Sequence, residues 1–184
     1  MTEADRTTDA AADQALIERW RAGDERAATA IVERHAPALM RFALSLGVRD
    51  DLDELVQDTF VRAFSALDSF RADSALRTWL FTIERRLVLD RRRAARRHPE
   101  MVEVLPEDAA TNFHALDAME ANETADRVRQ AMGRLSPMQR DVFSLRVQEG
   151  RAYKDIADIL GTTEGAARVH YHNALRAVKE WLHD

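Results

Sequence analysis

Arg85, Arg92 and Arg96 recur at i, i+7 and i+11 in a stretch whose apolar residues keep helical spacing, which lines three cations along one face. Like charges held this way repel one another. A phosphate backbone is the natural counterpart, because each phosphate neutralised releases condensed counterions; the competing reading is a merely soluble, Arg-rich helix. A second charged set has the opposite sign: Asp51, Glu54 and Asp58 share a face of the segment 51–67, opposite Leu52, Leu55, Val56, Thr59, Phe60, Ala63 and Leu67. Acids near a helix N-terminus are favoured by its dipole, so this face is either a solvated surface or a dock for a basic partner. A third set lies downstream, where Gly165, Arg168, Val169, His172 and Arg176 face out from a helix that turns Ala167, Tyr171, Ala174 and Val178 inward. Small residues near its start would let such a helix approach a major groove, with its polar residues toward base edges. His170 and His172 do not make a metal or acid-base pair: two apart on a helix, they diverge by about 200°, with no third ligand near in sequence.

These sets need helices to hold them. Leu16, Ile17 and Trp20 give Asp13 to Arg21 helical spacing, and Asp24 is the expected N-cap of a helix to about Leu46, stopped by Gly47 and bent at Pro37. The pattern breaks from Asp68 to Ala75, a short polar loop with one aromatic residue, Phe70, and one Arg, Arg71. It resumes with Leu76, Trp79, Leu80, Ile83, Leu87 and Ala94 on one face. Ser136-Pro137-Met138-Gln139 reads as a capping box with Pro at the first helical position, opening a helix that ends near Gly150. Ala157 followed four residues on by Gly161 has helix-turn-helix spacing, a small residue at a close crossing and then one that tolerates positive φ, with Thr163 as cap of the next helix. The same spacing also arises by chance in plain helical hairpins.

The 184 residues carry 27 Lys plus Arg against 32 Asp plus Glu, a net charge of -5, 46% hydrophobic residues and no cysteine. That supports one ordinary core or two small ones. Disulfides, thiolate metal sites and a cysteine nucleophile are excluded. Six Gly and four Pro amid abundant Ala, Leu, Arg and Glu point to an all-α fold. Charge is sorted along the chain: eight Arg against two acids from Leu76 to Arg97, then eight carboxylates and no Lys or Arg from His98 to Asp126, then ten basic and seven acidic residues to the end. The expected organisation is a disordered tail over 1–12, a first helical domain over 13–97, a flexible acidic linker over 98–118 and a second helical domain over 119–184. Met1 to Asp13 does not read as a secretory signal, and no apolar run approaches the roughly 18 to 20 residues of a membrane span, so a cytoplasmic location is expected.

Taken in order, Asp51-Leu52-Asp53-Glu54-Leu55-Val56-Gln57-Asp58-Thr59-Phe60, then Phe70-Arg71-Ala72-Asp73-Ser74 with Arg77 and Trp79, then Leu135-Ser136-Pro137 through Leu175, resemble a bacterial RNA polymerase sigma factor of the extracytoplasmic-function group. The resemblance implies a subunit with no catalysis and no cofactor of its own. Its partners would be promoter DNA and core RNA polymerase, through the β′ clamp coiled coil and the β flap, and an anti-sigma factor is a further partner it allows. Asp51, Asp53, Glu54, Gln57 and Asp58 would meet the coiled coil; Phe70, Arg71, Ala72, Asp73 and Ser74 would receive a flipped minus 10 base, with Arg77, Trp79, Arg85, Arg92 and Arg96 along the adjoining DNA. Thr163, Glu164, Gly165, Arg168, Val169, His172 and Arg176 would face the minus 35 element. The chain departs from the family's usual wording in two places. It has Glu84-Arg85-Arg86 where Ala-Arg-Asn is common, and His170 and Asn173 where the recognition helix usually carries basic residues. Outside this resemblance, a repressor that uses only the helix-turn-helix leaves the acidic face and the Phe70 loop without a role. An enzyme on a helical bundle finds no supporting spacing.

Overall fold

The structure, a computed structural model, describes residues 3–70, 72, 74–97 and 130–183, and these are helical with no strand among them. The linker expected over 98–118 lies outside the described residues. In the first module α1 spans Glu3–Arg21, α2 Glu25–Ser45, α3 Leu52–Ala66 and α4 Leu76–Arg97; in the second, α5 spans Pro137–Val147, α6 Tyr153–Leu160 and α7 Glu164–His183.

Local chemistry sets most of these boundaries. Asp24 accepts a hydrogen bond from the Arg26 backbone N–H at 3.0 Å, and α2 closes at Gly47 with φ +85°, a conformation that costs glycine little. Pro37 stands inside α2 without ending it. The capping box forms as expected: Ser136 Oγ accepts from Gln139 N at 3.4 Å, and Gln139 Oε1 accepts from Ser136 N at 3.1 Å. Gly161 takes φ +63° in the turn, and Thr163 Oγ1 accepts from Ala166 N at 3.1 Å to cap α7.

Helix α1 starts ten residues before the periodicity predicted, so the tail expected to be disordered over 1–12 is helical from Glu3. Tertiary pairing explains part of this, since Arg34 of α2 bridges Asp9 and Asp13, one turn apart on α1. Helix α4 also differs from its apolar pattern. Leu76, Leu80 and Leu87 are buried as predicted, but so are Thr78, Phe81, Glu84 and Val88, while Ala94 is exposed. The cause is that α4 packs on both sides: against α2 and α3 within its module, and against α6 of the second module. Helix α5 meanwhile meets α2. One core therefore runs from Leu39, Phe42, Leu55 and Phe81 through to Val142, Leu145 and Ile156, and a smaller cluster of Met132, Leu135, Phe143, Ala174 and Val178 lies within the second module.

Candidate nucleic-acid interface

The acidic face is built by α3, whose buried Leu55, Val56, Thr59, Phe60 and Ala63 turn Asp53, Glu54 and Gln57 to solvent and leave Asp58 half-buried. Asp51 precedes the helix in a left-handed conformation, φ +56°, and is exposed. The face is not wholly free. Arg91 of α4 donates to Glu54 Oε1 at 3.2 Å and Asp58 Oδ2 at 2.8 Å, a clamp invisible to sequence periodicity because it joins residues more than 30 positions apart. With Glu54 and Asp58 about half exposed, these pairs are weak enough to exchange for another cation.

Beyond α3 the chain turns through a 3-10 segment, Leu67–Ser69, into Phe70. Arg21 at the end of α1 donates to the carbonyls of Leu67 and Phe70 at 3.0 and 3.2 Å, which fixes the entry to the loop. The Phe70 ring lies 5.0 Å from that of Trp79 in α4, tilted by 42°. Ala72 has φ +59° and is exposed, and Ser74 is half-buried. Arg71 and Asp73, also assigned to this loop, lie outside the described residues. The loop thus sets a partly buried aromatic pair beside small groups, a surface on which an unstacked base could rest.

Arg77, the second residue of α4, is held by a relay that sequence reading missed. Its Nε donates to His35 Nδ1 at 3.4 Å, and His35 Nε2 lies 3.0 Å from Asp13 Oδ1 inside the core. Because a guanidinium only donates, Nδ1 accepts; the proton sits on Nε2 and is given to Asp13. Of the stripe, Arg96 is exposed, whereas Arg92 donates to the Leu46 carbonyl at the end of α2. Arg85 is half-buried: burial pulls its pKa down, and Asp141 of α5 partly offsets this. Burial in turn pushes Asp141 up to about 6, against the pull of Arg85, Arg92 and Arg140.

In the second module α7 turns Ala167, Ala174 and Val178 inward, with Tyr171 half-buried against Phe143 and Tyr153. Thr163, Glu164, Gly165, Arg168, Val169, His172 and Arg176 are all exposed on the other side. Val169 is 59% exposed, unusual for a large apolar residue and suited to contact with a thymine methyl. Arg168 pairs with Glu164 and lies over the Tyr153 ring of α6 at 4.7 Å, so two contacts hold its guanidinium. His170 is half-buried, His172 is exposed, and no cluster of three metal-ligating side chains occurs among the described residues.

Two family profiles cover most of this architecture: residues 31–98 match Sigma-70 region 2, and residues 125–178 match Sigma-70, region 4. The chain is 33% identical to the RNA polymerase sigma factor NccH of Alcaligenes xylosoxydans xylosoxydans, over 86% of this chain and 88% of that one. It is 31% identical to the RNA polymerase sigma-H factor of Pseudomonas aeruginosa, over 92% and 93% respectively. Among solved structures, the sigma factor RpoE of Bartonella quintana, in complex with the anti-sigma factor NepR, is similar at TM-score 0.69 and 29% identity, covering 84% of this chain and 95% of that one. CnrH in complex with the cytosolic domain of CnrY is similar at TM-score 0.65 and 28% identity, covering 93% and 97%. No helix among the described residues is long and apolar enough to cross a membrane. The ordered pair of modules, each with its family match, places the chain in the sigma-70 family, in the extracytoplasmic-function group: it is a subunit that binds core RNA polymerase and directs promoter-specific transcription initiation.

Proposed function

We propose that the chain divides initiation among three surfaces and performs no catalysis itself. Asp51, Asp53, Glu54, Gln57 and Asp58 dock on a basic coiled coil of the polymerase, and the second module makes the contact with the β flap. The Phe70 to Ser74 loop, with Trp79 behind it, takes a minus 10 base out of the stack. Arg77, Arg85, Arg92 and Arg96 hold the neighbouring backbone. The exposed face of α7, from Thr163 to Arg176, enters the major groove of the minus 35 element. The observation that carries this reading is the set of exposed side chains on α7, placed immediately behind a glycine turn and a Thr163 cap. RpoE is seen bound to the anti-sigma factor NepR, and we extend to this chain the expectation of an anti-sigma partner. Run-off transcription with core polymerase on a library of genomic fragments should yield transcripts from a defined promoter class. Transcription no greater than that of core alone, with the chain's own upstream region included, would overturn the reading.

Two further results separate base reading from backbone contact. Replacing Arg96 by Ala should lower affinity on every promoter alike and reduce the slope of log affinity against log salt by about one, measured by titration of the polymerase complex. Replacing Arg168 by Ala should change which minus 35 sequences are accepted, with about 1–3 kcal/mol lost at the base it reads. A uniform loss over a randomised minus 35 library would assign Arg168 to the backbone instead.

A further inference from the structure

Tyr153, the first residue of α6, carries two guanidiniums on one ring. Arg146, near the end of α5, and Arg168, in the second turn of α7, each place Cζ 4.7 Å from the ring centroid. The ring is itself held in place. Tyr171 of α7 meets it edge-on, with centroids 5.9 Å apart and an angle of 65°, and Arg146 Nη1 donates to the Arg151 carbonyl at 2.8 Å in the turn before α6. All of these groups belong to the second module, where they tie α5, α6 and α7 together around a half-buried aromatic. Two cations gathered on one ring repel each other, and only Arg168 has an acid, Glu164, as an ion-pair partner among the described residues. An aliphatic residue would fill this edge of the core as well, but it would offer neither guanidinium a π face.

We propose that Tyr153 is a positioning residue for the minus 35 contact: its ring is the platform that restrains the Arg168 guanidinium before DNA arrives. This rests on the reading of Arg168 as a base contact. An exposed Arg loses rotamer freedom when it binds, and a platform that has already restricted it takes that cost out of the binding step. The ring face carries no lone pair, so the contact leaves the guanidinium N–H donors for the O6 and N7 of a guanine. Glu164 does not substitute for the ring. Its carboxylate accepts from a donor the base needs, and an exposed pair of this kind is screened by salt.

Tyr153→Leu removes the face and keeps an apolar side chain against the core, whereas Tyr153→Phe keeps the face and removes only the hydroxyl. In the full-length chain, the Arg168 Cδ protons should be shifted upfield by the ring current in the native protein and in Tyr153→Phe. In Tyr153→Leu that shift should disappear, and nitrogen relaxation should show the Arg168 Nε–H newly mobile on the picosecond-to-nanosecond scale. With core polymerase on a randomised minus 35 library, Tyr153→Leu should cut discrimination at the position read by Arg168 by about threefold to fivefold. Other positions should keep their preferences, and Tyr153→Phe should match the native chain. Added to Arg168→Ala, Tyr153→Leu should change no preference further. A guanidinium as ordered in Tyr153→Leu as in the native chain, or a loss spread evenly over the minus 35 positions, would overturn the platform and leave Tyr153 as a core edge. Loss of preference in Arg168→Ala but not in Tyr153→Leu would overturn the platform with the base contact intact. No loss in either would overturn the base contact itself, and with it the role of the ring.

Discussion

Replacing Glu54 and Asp58 together by Lys is expected to weaken binding to core polymerase roughly a hundredfold, about 3 kcal/mol, with helicity unchanged. The size follows from what the two acids do in each state. In the free chain they share Arg91 at a largely exposed site, where an ion pair is worth at most about 1 kcal/mol, so its loss should barely alter folding. Against a basic partner surface the same carboxylates would be desolvated, and reversing their sign sets like charges face to face. Arg91 supplies an internal control. Its substitution by Ala frees both acids and should leave polymerase affinity unchanged or higher, whereas a helix that merely needed its surface charges balanced would lose stability. Competition binding against a labelled sigma subunit at moderate salt measures both variants. Unchanged affinity for the double reversal would show the face to be a solvated surface.

The elements that local chemistry decides were legible in the sequence: the Ser136 capping box, the Asp24 cap, the Gly161 turn, and the inward and outward sides of α7 each depend on residues within one or two turns. What depends on distant partners was not. Arg85 and Arg92 lie on the stripe that spacing predicts, yet the first meets the field of Asp141 and the second the Leu46 carbonyl, because α4 is sandwiched between modules. The same sandwich explains Phe81 and Val88, which a one-sided apolar face would leave outside the core. Helix α1 began early for a related reason: Asp9 lies in a polar stretch without apolar period and is tied down by Arg34, 25 residues away. The Asp13–His35–Arg77 relay joins three helices, and no spacing within one of them announces it. Glu84 alone left a trace, standing where the family usually has a small apolar residue, though its sequence position could not say that the side chain would be buried in a seam.

Substituting Leu for Glu84 is expected to stabilise the protein at pH 7 by about 1–3 kcal/mol, the cost of burying a polar group without a partner. In a chain of this length that corresponds to a rise in melting temperature of roughly 5 °C. The pH dependence gives the stronger test. Burial first, and the Glu149 charge second, hold the Glu84 carboxyl well above its usual value of 4.5, so the folded chain binds this proton more tightly than the unfolded one. Its contribution is therefore fully present below about 4.5 and is lost as pH rises through the raised folded value. The advantage of Glu84→Leu should accordingly be large at pH 7 and shrink as pH falls toward 4.5. Asp141→Asn should flatten a separate window, between 3.8 and about 6, while giving up the attraction of Arg85 and Arg92 at neutral pH. Thermal melts across pH read both. Destabilisation by Glu84→Leu at pH 7 would mean that the carboxylate has a partner and holds α4 in place.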